Sequence, residues 1–118
     1  MSSLPGEAIF HISLPEDWDA ARVDGRYTIS TRGRSLAEEG FIHCSFAAQV
    51  PQVMSMFYAD VEQVVVMRID PHRLCAPLVV EDLIGGGEQF PHVYGPICLD
   101  AVIDVSTVQP AAMRACGA

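Results

Sequence analysis

The chain has 118 residues, a formal net charge of −8 and a pI near 4.7. That length is expected to make one domain, residues 1–118, with no room for a second core. Hydrophobic residues at 50% and charged residues at 19% exclude a disordered chain, and no apolar run approaches the roughly 20 residues needed to cross a bilayer.

Residues 8–14, AIFHISL, read as a first strand, because Phe10, Ile12 and Leu14 share one face at period two. Pro15-Glu16-Asp17 reads as a helix start, with Pro early and acids in the first turn. Trp18, Ala21 and Arg22 follow at helical spacing, and Gly25 supplies a stop. Ser35 with Glu38 at i+3 predicts a capping box on a short helix that ends at Gly40. FIHCS (41–45) reads as a strand. A helix is expected over 47–58, with Val50, Val53, Met54, Phe57 and Tyr58 as its apolar stripe and Pro51 confined to its first turn. QVVVMRI (63–69) is β-branched and nearly all apolar, which predicts a central strand. LVVEDL (78–83) is another strand, followed by a flexible loop at Gly85-Gly86-Gly87. Two more strands are expected around 92–94 and 99–106, with a frayed tail after Pro110. The order predicts an α+β fold, a small split or strongly bent sheet with helices packed on it.

All seven basic residues are Arg, against 15 acids. A large nucleic acid is therefore not expected as a partner, since binding one requires a basic surface that displaces counterions. The absence of Lys excludes Schiff-base chemistry and a phosphate-binding P-loop. Cys44, Cys75, Cys98 and Cys116 are widely and unevenly spaced, with no C-x-x-C. Neither structural zinc nor a disulfide framework is expected from them. The first residues lack a basic n-region and a long apolar h-region, so no secretory signal is expected and the cytoplasm is the expected compartment.

The most informative pattern is strand parity. His11 and Ser13 oppose Phe10 and Ile12. His43 and Ser45 oppose Ile42 and Cys44. His92 and Tyr94 flank Val93 from the other side. Three of the four histidines thus take the polar parity of three strands, each with a hydroxyl two residues later. A plain solvated face explains alternating polar residues, but not His three times at the same offset. The parity therefore places the imidazoles of His11, His43 and His92 on one concave surface. Facing an open cleft, they would titrate near pH 6–7.

These residues also carry a family resemblance. IFHIS, Trp18, Gly25-x-Tyr27, EEGFIHCS (38–45) with Gln49-Val50 and Phe57-Tyr58, VVVMRID (64–70), Leu78-x-x-Glu81, and FPHVYGPI (90–97) followed by LDAV resemble the small bacterial family catalogued as domain of unknown function 952. That family is remotely similar to the ADP-ribosyltransferase-like fold, which implies a split sheet with an NAD-binding cleft. The resemblance implies that His11 contacts ribose and that FIHCS is the fold's second motif, with His43 where many relatives place Tyr. It also puts His92 and Tyr94 where many relatives carry a catalytic Glu. The sequence departs there, because HVYG contains no acid. Glu88 lies four residues earlier in the Gly-rich loop, and Glu81 sits on a strand whose parity the pattern leaves open. The departure argues against classical protein ADP-ribosylation and leaves a His-based variant, such as phosphate transfer from RNA with NAD.

The chemistry can be set out from the residues alone. Cleaving nicotinamide from NAD passes through an oxocarbenium-like state, which requires a held ribose, a nearby acid or dipole, and pyrophosphate donors. The candidate catalytic residues are His43, His92 and Tyr94. The candidate ligand-binding residues are His11, Ser13, Ser45, Tyr27, Arg68 and Glu81. Arg22, Arg26, Arg32 and Arg34 are further phosphate candidates, at least two of them read as solvated loop residues. Cys44 is expected in the core, His72 in a surface turn, and Trp18 either against a base or as a core anchor. NAD enters as a substrate and no resident cofactor or metal is expected. The partner is a nucleotide or another small anionic ligand, with no membrane involved. Two alternatives stand beside this enzyme: a non-catalytic module binding a small anionic metabolite, and a metal-dependent hydrolase using the three histidines.

Overall fold

The computed structural model describes residues 4–111. In chain order the elements are β1 (Ile9–Ser13), α1 (Pro15–Asp24), β2 (Arg26–Tyr27), β3 (Ile29–Thr31), β4 (Arg34–Ser35), α2 (Leu36–Glu39), β5 (Ile42–His43) and β6 (Ser45–Phe46). They continue with α3 (Val50–Phe57), β7 (Val64–Ile69), β8 (Leu78–Glu81), β9 (Phe90–Val93), β10 (Ile97–Cys98) and β11 (Val102–Val108). Short 3-10 turns at Ala47–Gln49, Pro71–Arg73 and Leu99–Ala101 link them. The fold is α+β. Among the described residues no helix is long and apolar enough to cross a membrane. The frayed tail expected after Pro110 lies largely outside the described residues.

A four-stranded antiparallel sheet, ordered β11-β7-β1-β6, forms the centre. A three-stranded antiparallel sheet, ordered β5-β9-β8, stands beside it. The segment FIHCSF feeds both: Ile42 and His43 pair in the smaller sheet, while Ser45 and Phe46 pair in the larger. The expected strand 41–45 is therefore broken at Cys44, whose N–H donates to the Pro91 carbonyl at 3.0 Å. Two ribbons, β10-β2 and β3-β4, close the ends.

The central sheet is covered on both faces, which explains the unalternating VVVMRI of β7. Ile9, Met67 and Ile69 join Tyr27, Ile42, Cys44, Val93 and Ile97 in one apolar cluster, with Trp18 packed against it. Ile12 and Val64 join Val50, Val53, Met54 and Tyr58 in the other. In the stripe expected on α3, Phe57 is the departure, at 50% exposed. Adjacent residues at a helix end cannot both face the core. Tyr58 takes the buried position and its hydroxyl donates to the Ile12 carbonyl at 3.2 Å.

The local signals work as chemistry requires. Pro15 opens α1, and Gly25 ends it at φ 91°, where its N–H donates to the Ala21 carbonyl. Ser35 and Glu38 form the reciprocal capping box of α2. The strand expected at 92–94 instead begins at Phe90 and passes through Pro91 in the middle of its sheet. Proline lacks the donor a central strand normally needs. Its carbonyl still serves the sheet junction at Cys44. The strand expected over 99–106 resolves into a 3-10 turn and then β11, which runs on to Val108.

Candidate functional site

The outward face of the three-stranded sheet is built by alternation. Register pairs His43 with His92, Val79 with His92, and Glu81 with Phe90. Side chains two apart share a face, so His43, His92, Glu81 and Phe90 stand together while Ile42, Val93 and Leu78 turn into the core. Phe41 and Tyr94 extend the same alternation by one step on their strands. The rings interlock: Phe41 lies 4.3 Å from His92 and 5.6 Å from Tyr94 between centroids, and Phe90 lies 5.1 Å from His43.

Hydrogen bonds run through this face as a chain. His92 Nδ1 lies 2.9 Å from Glu81 Oε2. The Tyr94 hydroxyl donates to the same oxygen. His92 Nε2 lies 3.3 Å from His43 Nδ1. A carboxylate only accepts, so His92 turns an N–H at Nδ1 towards Glu81; in the neutral tautomer its Nε2 is then an acceptor. His43 then donates from Nδ1, and its own Nε2 is left with a free lone pair. The chain Glu81–His92–His43 thus ends on a nitrogen lone pair. His92 is 5% exposed, and Tyr94, at 38%, forms the open rim. The hydrogen bonds from Tyr94 and His92 hold the Glu81 carboxyl below its ordinary range. The same bond to Glu81 pushes the Tyr94 phenol up. Burial, reinforced by repulsion from His92, lowers the His43 imidazole to about 4.

The backbone of His43 is pinned on both sides. Its N–H donates to Ser30 Oγ at 3.3 Å. Its carbonyl accepts from His11 Nδ1 at 2.6 Å. His11 Nε2 in turn meets the Tyr27 hydroxyl at 3.1 Å. Tyr27 contacts Ser13 Oγ at 2.9 Å, and Ser13 donates to the Leu14 carbonyl at 2.8 Å. This second network is closed to solvent: His11 is 2% exposed and Ser13 and Tyr27 are 1%. Burial lowers the His11 imidazole to about 4 and pushes the Tyr27 phenol up.

The expected constellation is therefore only partly assembled. His43, His92, Glu81 and Tyr94 come together as one cluster. His11 does not share its surface. It projects beside Ile9 and Met67 into the larger core, because β1 is packed on both faces and its polar parity is not a solvent face. It reaches His43 only through the backbone carbonyl. An open-cleft titration near pH 6–7 is likewise replaced, for His11 and His43, by values near 4. Ser13, Tyr27 and Ser45 are buried, so none offers its hydroxyl to an external phosphate or its ring to a base. Ser45 pairs with Phe10 and lines, with His11, Ser30, His43 and Tyr58, a cavity of about 10 Å³, room for roughly one water. Arg68 is exposed on β7, opposite Phe10 and Asp104 in register, and is not part of the cluster. Arg26, Arg32 and Arg34 pair with Asp24, Asp60 and Glu39. Glu88 is taken up by Gln49 and Gln52 of the helical segment. Among the described residues no group of three or more His, Cys, Asp or Glu side chains is placed to hold a metal ion.

Sequence reasoning passed over Phe41, Phe90 and Ser30. The aromatic pair had a signal: F-x-H at 41–43 and F-x-H-x-Y at 90–94 repeat one alternation on paired strands. Ser30 had none, since its hydroxyl meets a backbone N–H brought to it by tertiary packing.

Known proteins align with this architecture. The chain is similar to protein CC0527 from Caulobacter crescentus, whose crystal structure matches with a TM-score of 0.74 at 26% identity, covering 85% of this chain and 84% of that one. A crystal structure of a double mutant of the same protein matches at 0.73 and 25% identity over 85% and 84%. Its solution structure matches at 0.64 and 24% identity over 86% and 84%. No curated protein matches the chain. The family described as "Protein of unknown function (DUF952)" matches residues 12–105, which include every member of the Glu81–His92–His43 chain, and the protein belongs to that family.

Proposed function

We propose that the outward face of the three-stranded sheet is an acid–base active site acting on NAD or a related nucleotide. The observation that carries this reading is the hydrogen-bonded chain Glu81–His92–His43, whose terminal imidazole is held neutral by burial. A carboxylate that orients one imidazole against the next group is a recurrent way to hold a base in a single tautomer. The surroundings favour a flat, electron-poor ring over an anion. Phe41, Phe90 and Tyr94 supply aromatic faces and Glu81 supplies negative charge, both of which complement the cationic nicotinamide ring. Among the described residues no arginine joins the cluster, so it offers no charged clamp to a free anion or to the pyrophosphate of NAD, and the reading rests on the nicotinamide end. The resemblance to the ADP-ribosyltransferase-like fold belongs to this proposal. The split between the two sheets supports it, and Glu81 provides from a neighbouring strand the acid that HVYG lacks.

In the proposed step a water or another hydroxyl attacks the ribose carbon bonded to nicotinamide. His43 Nε2 takes the proton of that nucleophile as the new C–O bond forms. The carbon–nitrogen bond breaks and its electron pair leaves with neutral nicotinamide. Glu81 offsets the positive charge that gathers on the ribose and, through His92, on His43. His11 is a positioning residue that holds the His43 backbone.

The test is nicotinamide release from NAD, together with the melting shift given by NAD and ADP-ribose across about pH 5–8. Turnover is expected to vary little over that range, because a base near 4 stays unprotonated throughout it. His43→Ala is expected to abolish release and retain the melting shift. No release and no shift with any adenine nucleotide would overturn the proposal. A shift without release would favour a binding module.

A further inference from the structure

The segment before β8 and the segment after β9 meet beside the rim of the candidate site. A Cβ added to Gly95 would stand 2.6 Å from the Ala76 Cβ, so the two backbones approach as closely as a missing side chain allows. The Tyr94 N–H donates to the Pro77 carbonyl at 2.8 Å and locks that approach. Immediately beside it, Cys75 Sγ and Cys98 Sγ stand 2.8 Å apart, as free thiols. The covalent separation is about 2.05 Å, so the sulfurs are within an ångström of bonding distance. Cys98 is further oriented by a hydrogen bond from its thiol to the Arg73 carbonyl at 3.3 Å. Cys75 is exposed and Cys98 half-buried, so a small oxidant can reach the pair. Cys44, by contrast, is sealed in the core.

We propose that Cys75 and Cys98 are a reversible disulfide site, oxidised by a low-molecular-weight disulfide and reduced by a dithiol. In the forward direction the Cys75 thiolate attacks the external disulfide, forming a mixed disulfide and expelling one thiolate. Cys98 sulfur then attacks Cys75 Sγ and expels the second. The two protons lost by the cysteines pass to the two leaving thiolates. The balance is two protein thiols and one external disulfide giving one protein disulfide and two external thiols. The bond would close a loop between residues 23 apart in sequence, spanning β8 and β9. It would staple the Pro77–Tyr94 contact at the rim of the candidate site. The inference does not depend on what that site does.

The full-length protein would be treated with excess oxidised glutathione, alkylated, and cleeved after glutamate. Glu81 and Glu88 lie between the two cysteines, so the bond survives as a linked pair of peptides. The expected result is a Cys75–Cys98 pair that dithiothreitol removes and that persists in Cys116→Ser. The oxidised protein should melt roughly 10 °C above the reduced one. Cys75→Ser and Cys98→Ser should lose both the linked peptides and the shift. Full alkylation of both cysteines after oxidation, separate glutathione adducts on each, or a link to Cys116 would each overturn the proposal.

Discussion

Glu81 is the residue on which the histidine chain turns. Its Oε2 accepts from both His92 and Tyr94, and its negative charge fixes the proton of His92 on Nδ1. Glu81→Gln removes the charge and offers an amide that must present its N–H₂ to one of two donors. His92 is then expected to lose its single tautomer, and His43 its defined hydrogen-bond direction. Nitrogen-15 spectra of the imidazoles read this directly, without knowledge of the substrate. Tyr94→Phe, which leaves the carboxylate in place, should preserve the tautomer. An unchanged His92 tautomer in Glu81→Gln would remove Glu81 from its orienting role. If the site is catalytic, the same variant should slow turnover by about 10²–10⁴-fold. Parity in the sequence was enough to bring His43 and His92 together, because both lie on strands with one clear apolar face. It failed for His11, because period two reports which residues share a face and not what covers that face. It was silent for Glu81, because LVVE is apolar at three consecutive positions and carries no phase.

Elements in this fold are held by contacts of very different legibility. The capping box of α2 is a four-residue sequence signal, and Ser35→Ala is expected to cost about 1 kcal/mol, read as a lower urea midpoint with an unchanged slope. The approach of the β8 lead-in to the turn after β9 is the opposite case. Gly95 meets Ala76 across 18 intervening residues, and nothing in either neighbourhood announces it. Gly95→Ala is expected to destabilise by about 1–3 kcal/mol, because the added Cβ is opposed by a methyl attached to backbone. Ala76→Gly in the Gly95→Ala background should recover much of that loss, and a double-mutant cycle with no coupling would refute the contact. Of the long elements, β1 and α3 follow their hydrophobic periods, α1 is marked by Pro15 and Gly25 at its ends, and β7 by an unbroken β-branched run. The two- and three-residue strands β2, β3 and β4 were not foreseen, since alternation cannot be read from so few residues. The same limit applied to the cysteines: uneven spacing argues against local motifs, but says nothing of two thiols joined by the packing of β10 beside the β8 lead-in.

At the scale of the whole molecule, the two sheets are joined through a strand that changes partners at Cys44 and through the His11–His43 contact across the joint. Both imidazoles are neutral in the folded protein, lowered by burial from the ordinary 6.5 to about 4. In the unfolded chain each regains its ordinary affinity for a proton. Between about pH 6.5 and 4 the unfolded state therefore binds more protons, and stability rises with pH across that window. The stability present above the upper limit is lost as pH falls towards about 4, below which both states are protonated and these groups add no further slope. Each group contributes an effect of order 3 kcal/mol, and the two are coupled through one contact, so their sum is an upper bound. Glu81, held low by His92 and Tyr94, adds loss in the same direction as pH falls through the carboxylate range. Urea midpoints measured at about pH 7.5, 5.5 and 4 should fall steadily, with the steepest change inside the histidine window. His11→Gln should be less stable than the wild type at the highest pH, since burial of the joint is disturbed, yet show a shallower fall, since one buried imidazole no longer has to be kept neutral. A His11→Gln profile parallel to that of the wild type would mean that the acid sensitivity arises elsewhere, and that His11 is not a buried neutral base at the joint.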